Sequence, residues 1–221
     1  MKTQHNKLRI AIDGGASTGK STVAKLLANK LGLEYINTGS MYRYITLFAM
    51  ENELLGKWDE LVKEISKYEI TYKDGEIHST WKELDTNKLH GNEVASHVSE
   101  VAASEEVRAF ASEVQKQLGK EEGVLLEGRD IGTVIMPDAD YKFFLTVSDE
   151  EAANRRFKEY QSKGLETSYE EVLANVKERN KIDSSRKVAP LKMADDAIEV
   201  DTSDKDQNGV LDWIVEYINE N

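Results

Sequence analysis

No cysteine occurs among the 221 residues, so a thiol nucleophile, a zinc–thiolate centre and a disulfide scaffold are all excluded. Proline is scarce: Pro137 and Pro190 are the only two, and no Gly/Ser- or Pro-rich linker divides the chain. No stretch reaches the ~18 apolar residues needed to cross a bilayer. The opening MKTQHNKLRI lacks the apolar run of a secretory signal, so the expected location is cytoplasmic. Basic residues are outnumbered, 29 against 41 acidic ones, for a formal charge of −12. Such a balance argues against general duplex binding, which depends on clustered Lys and Arg. No RNP, helix-turn-helix or zinc pattern appears either, so nucleic acid is not an expected partner. A local basic cleft for a small anion remains open. With 39% apolar and 32% charged residues, the chain reads as globular and large enough for one domain with a full core.

Short apolar runs alternate with longer helical patterns, which favours a central parallel sheet flanked by helices. Five runs read as its strands: 8–13, 34–37, 124–127, 142–147 and 197–200. Residues 20–32 place Val23, Leu26, Leu27 and Leu31 on one helical face, with Gly32 as a stop. Further helices are expected from Ser40 to about Asn52 and over 93–119, 149–163, 168–182 and the amphipathic stretch through Ile218. Between 68 and 81 two alternating runs flank Lys73-Asp74-Gly75, a hairpin signal and so a small antiparallel insertion. No repeat or low-complexity tract interrupts this order.

Gly14-Gly15-Ala16-Ser17-Thr18-Gly19-Lys20-Ser21 fits G-x-x-x-x-G-K-S/T at every specified position, and Thr22 follows. The run leaves a strand and opens a helix, the context this motif requires. Triphosphate oxygens need several donors at close range. Glycines let backbone N–H groups approach, and the helix end adds partial positive charge. Lys20 can reach the β/γ-phosphates, and Ser21 offers its hydroxyl to Mg²⁺. The cradle implies a nucleoside triphosphate without naming the reaction, since kinases, GTPases, ATPases and regulatory binders share it.

A phosphate acceptor needs a second pocket, and three segments could supply it. Thr38-Gly39-Ser40-Met41-Tyr42-Arg43 follows the second strand on the side of a parallel sheet where ligands bind. Glu127-Gly128-Arg129-Asp130 ends another strand, a compact group able to hold a phosphate and polar base edges. Arg179, Asp183 and Arg186 are spaced by four and three, which would set them on one face of a helix.

Together these residues resemble a known family. IAIDGGASTGKST, NTGSMYR, EGRDIGTVIMPDADYKFFL and RNKIDSSRKVAPL, in this order and spacing, look like bacterial cytidylate (CMP) kinase over nearly the whole chain. The resemblance implies a P-loop kinase fold in a single domain, with a monophosphate-binding insertion at about 39–118 and a helical lid at about 149–186. It implies transfer of the ATP γ-phosphoryl group to CMP or dCMP with Mg²⁺. Thr38, Arg43, Ser99, Arg108, Arg129, Asp130, Asp183 and Arg186 match the family's CMP contacts, the pair Arg129–Asp130 reading cytosine. Arg155, Arg156 and Arg179 look like lid arginines brought over the phosphates. The sequence departs from the family pattern at Gly15 (commonly Pro), at Asn37 and Asn180 (commonly Asp), and at Leu89-His90-Gly91-Asn92-Glu93-Val94. His90 replaces an arginine there and is expected at the surface.

Two rival readings stay open. One keeps the chemistry and changes the acceptor to UMP, AMP or a non-nucleotide such as shikimate. The other is a P-loop switch that holds nucleotide without fast transfer, which would not need a second arginine-lined pocket. No heptad pattern is evident, and a monomer is expected.

Overall fold

The computed structural model describes residues 4–221. β1 (Arg9–Gly14) sends Ile10 and Ile12 into one apolar cluster and Ala11 into another, so both of its faces are buried. That is why the run reads as almost continuously apolar. α1 (Lys20–Leu31) ends at Gly32, whose φ of +72° lets its N–H return to Ala28 O. β2 (Glu34–Asn37) passes directly into α2 (Thr38–Glu51), which starts two residues before the expected Ser40. The reason is a cap: the Asn37 side chain accepts the Ser40 N–H.

α3 (Trp58–Ile65) was not anticipated. β3 (Ile70–Lys73) and β4 (Glu76–Ser79) form the expected hairpin, turning through Asp74 and Gly75 at φ +54° and +79°. The single helix expected over 93–119 is two, α4 (Asn92–Ala103) and α5 (Glu105–Leu118), because Ser104 takes an extended backbone and caps α5 through Val107 N–H. β5 (Val124–Gly128) leads through a wide turn at Ile131–Ile135 to β6 (Tyr141–Thr146). α6 (Asp149–Ser162) and α7 (Tyr169–Ser185) pack on each other around Ala152, Ala153, Val172 and Val176. α7 runs to Ser185 instead of the expected 182, and Arg186 caps it with an extended backbone. Arg186 is therefore just off the helix that carries Arg179 and Asp183, correcting the expectation of one shared helical face. β7 (Ile198–Asp201) and α8 (Gln207–Glu220) close the chain.

The five long-range strands pair in parallel in the order β2-β5-β1-β6-β7. α1 and α8 cover one face through Val23, Leu27, Val210 and Ile214. The turn after β5 covers part of the other through Ile131, Ile135 and Met136. α2 to α5 and the hairpin share a separate core around Tyr44, Phe48, Leu61, Ile65 and Trp81. Because β1 is central and its neighbours run the same way, the carboxyl ends of β1, β2 and β5 open side by side. Asp13 pairs with Gly128, and Asn37 with Glu127. Ligands of open parallel sheets bind at this end.

Candidate active site

The cradle forms because the chain turns too tightly for side chains at two points. A Cβ on Gly14 would collide with the Leu145 carbonyl oxygen of β6. Gly19 caps α1 at φ +81°, a left-handed conformation that favours glycine. Lys20 is 9% exposed and donates from Nζ to Gly15 O at 3.0 Å. Burial pushes its ammonium down to about 7, and the nearby Arg129 and Arg179 charges add to the shift. Thr18 is buried and donates to Gly15 O at 3.3 Å. Ala16 N–H is taken by Asn180 Oδ1 of α7 at 3.1 Å, and Asn180 donates in turn to Asp149 Oδ1 at 2.9 Å. A departure from the family pattern thus sits on the cradle itself. Ser17, Ser21 and Thr22 complete the loop, the last two exposed at the helix start.

Across the sheet end, arginines converge. Arg129 Nε donates to Asp183 Oδ2 at 2.9 Å, and Arg186 Nη2 pairs with Asp183 Oδ1. Asp183 is buried and uses both oxygens on guanidinium groups. Arg108, also buried, faces Asp130 at 3.6 Å (Nη2–Oδ2) and lies 5.7 Å from the Tyr42 ring centroid. Its Nε is buried with no partner among the described residues. Burial raises the Asp130 carboxyl, while Arg108, Arg186 and Arg129 pull it back down. Burial lowers Arg179 to about 10, and Arg129, Arg156 and Arg43 push the same way. Half-buried Arg43 also donates to Leu89 O at 3.2 Å. Thr38 donates to Glu127 O at 2.8 Å, which ties the start of α2 to the end of β5.

The structure therefore brings Lys20, Arg129, Arg179, Asp183 and Arg186 into one electrostatic neighbourhood, with Arg43, Arg108, Asp130 and Arg156 at its edges. Two expected residues stand apart. Ser99 is exposed on α4, with no hydrogen bond to this cluster among the described residues. Arg155 turns the other way. It donates from Nε to Glu151 Oε1 at 3.0 Å and from Nη1 to Thr202 Oγ1 at 3.1 Å, and its Nη1 would lie 4.0 Å from a Cβ on Gly19. There it lines a cavity of about 580 Å³ with Thr18, Gly19, Val23, Thr202 and Asp206. Adjacent residues on a helix do not face the same way. Arg156 is the one on the cluster side, its Nε donating to Tyr160 OH at 2.8 Å. His90 is exposed, as expected.

Glu127 is buried, accepts a hydrogen bond from the Tyr35 hydroxyl on Oε1 at 2.8 Å, and has a buried Oε2 with no partner among the described residues. Ser21 approaches the same tyrosine hydroxyl. Tyr35 and Asp13 were not among the expected site residues. The visible signal for Asp13 is an acid ending an apolar strand beside the glycine turn.

A strand, glycine turn and helix end set against an arginine-rich pocket at the carboxyl edge of a parallel sheet define a P-loop phosphotransferase. Solved structures agree on the fold. A shikimate kinase from Acinetobacter baumannii in complex with shikimate matches with TM-score 0.51 and 14% identity, covering 100% of this chain and 98% of that one. A gluconokinase from Sinorhizobium meliloti 1021 matches with TM-score 0.50 and 14% identity, covering 97% and 93%.

The chain belongs to the cytidylate kinase family, whose profile matches residues 10–220. A cytidylate kinase of Clostridioides difficile (strain 630) is 43% identical over 213 residues, 96% of this chain and 98% of the relative. One from Thermosipho melanesiensis is 41% identical over 212 residues, 96% and 97%.

Proposed function

We propose that this chain transfers the γ-phosphoryl group of ATP to CMP or dCMP, giving ADP and CDP or dCDP. The observation that carries the reading is the pairing of two anion sites across neighbouring strand ends. Lys20 and the cradle are on one side; Arg129, Asp183 and Arg186 are on the other, close enough for Arg129 to depress the Lys20 ammonium. A switch protein would need only the first. Family membership supplies the acceptor class.

The acceptor phosphate is already anionic, so no strong general base is needed, and catalysis is positioning plus charge stabilisation. The cradle and Lys20 hold the donor. Arg43, Arg108, Arg129 and Arg186 orient the acceptor phosphate for in-line attack, with Thr38, Ser99 and Asp183 toward the sugar and base. Asp130 beside Arg129 can accept from the cytosine amine while the guanidinium donates to the ring acceptor. Arg156 and Arg179 neutralise the transferring group. Arg155 acts from the flank of the cradle, on the donor's side. The α6–α7 pair, about 149–186, is the lid that excludes water, and about 39–118 is the acceptor insertion. Both sites come from one chain, so a monomer suffices.

The residues present suit Mg²⁺. Ser21 lies in the first turn of α1, and Glu127 Oε2 is a buried oxygen without a partner among the described residues. When bound with ATP, the ion supplies charge neutralisation at the β/γ oxygens. No helix among the described residues is long and apolar enough to cross a membrane.

A panel of CMP, dCMP, UMP and AMP with ATP, with and without Mg²⁺ and read by ADP release, tests the reading. Transfer should be fastest with CMP or dCMP, because UMP lacks the amine that Asp130 accepts. Equal rates with UMP or AMP would reject the acceptor, and slow hydrolysis without transfer would favour the switch.

A further inference from the structure

Packing gives β1 no reason to carry an acid one residue before its end. Asp13 is 4% exposed, and its two oxygens each take one backbone amide: Oδ1 from Ile131 N–H at 2.9 Å and Oδ2 from Gly132 N–H at 2.8 Å. Those amides open the wide turn after β5, and the residue before it, Asp130, caps it with no side-chain hydrogen bond. Asp13 is thus a cap supplied from another strand. The register sets it level with Gly128, so the fork crosses directly to the segment that carries Arg129 and Asp130. On its other side comes Gly14, where the Leu145 carbonyl oxygen leaves no room for a side chain.

We infer that Asp13 is a positioning residue, which fixes the Arg129–Asp130 loop against the phosphate cradle and so sets the gap between donor and acceptor. The inference rests on the reading of residues 129 and 130 as acceptor groups. A space-filling role would not call for a carboxylate. Burial pushes this one up to about 6, opposed by its two amide bonds and by Lys20 of α1, while Asp130 raises it further. Lys142 of β6 packs across Gly132 on the same side. An asparagine would fill the same volume without the charge. It offers one oxygen for two amides, however, and turns its own N–H₂ on the second. Two successive N–H groups are matched by a carboxylate alone among side chains of this length.

The test is Asp13→Asn, compared with the wild type by steady-state kinetics and by amide spectra of ¹⁵N-labelled protein. The KM for CMP should rise about tenfold, the scale of one lost bond to a charged acceptor, while that for ATP stays within about twofold. The Ile131 and Gly132 amide signals should move with those of Ser17 and Thr18 unchanged. Should Asp13→Asn not fold, Asp13→Glu keeps both acceptor oxygens but sets them one methylene further from the Ile131 and Gly132 amides, and it should give the same split. Equal changes for both substrates, or unmoved Ile131 and Gly132 signals, would overturn the inference. If CMP proves not to be the acceptor, the proposed reaction fails while the amide spectra still decide the positioning role.

Discussion

Asp183→Ala offers the most direct probe of the acceptor pocket. In the native protein this one buried carboxylate serves Arg129 and Arg186, and Arg179 feels its charge as well. Removing it leaves Arg129 and Arg186 without their hydrogen-bonded counter-ion, with only the Asp130 charge nearby to offset them. Breaking a buried pair from one side costs about 3–5 kcal/mol, and the partial exposure of Arg129 and Arg186 (17% and 24%) argues for the lower end. At 2–4 °C per kcal/mol for a chain of this size, the expected fall in melting temperature is about 6–12 °C. The structure also dictates a specific remedy. Inorganic phosphate, replacing the missing negative charge, should raise the melting temperature of the variant more than that of the wild type. Calorimetry in chloride and in phosphate at equal ionic strength measures both. A fall under about 2 °C, or equal response to phosphate, would mean that the arginines escape to solvent and that no preformed anion pocket exists.

The other predictions are simpler. Lys20→Ala should lower phosphoryl transfer by ~10²-fold or more, the scale of a single electrostatic donor, with circular dichroism unchanged; near-native turnover would falsify the role of Lys20. Arg129→Ala should raise the CMP requirement far more than the ATP requirement, and an equal effect on both would count against the acceptor pocket. Asp13 also makes stability depend on pH. Its folded-state value of about 6 lies above the ordinary 3.8, so between these the native carboxyl keeps a proton that the unfolded chain has released. Stability therefore falls as pH rises through that window. The wild type should lose about 2 kcal/mol relative to Asp13→Asn between pH 3.8 and 6. Denaturant titrations of both proteins across the window check this, and a constant difference would contradict the burial argument.

What was legible in the sequence was whatever local chemistry decides. The strand, glycine turn and helix around Gly14–Ser21 follow from spacing, and the Asp74–Gly75 turn from the backbone it must adopt. The split at Ser104 has no glycine or proline to mark it, and only the Val107 amide that Ser104 caps reveals it. α3 escaped notice because eight residues give barely two turns of periodicity, although Leu61 and Ile65 are both fully buried. The divergence of Arg155 from Arg156 was available in principle, since consecutive helical residues point apart, but the family resemblance groups them. Asp13 could not be placed by any local rule. Its partners lie 118 and 119 positions away, and only the packed sheet brings them to it.

The bond from Asn180 to the Ala16 amide has a consequence for the order of events. That amide is one of the donors on which a triphosphate would settle, and here a side chain from α7 already holds it. In the proposed reaction a triphosphate would displace this side chain, so docking of the tail and release of the helix would be one exchange of partners. There α7 would thus change partners only on arrival of a nucleotide, which couples enclosure of the site to its occupancy.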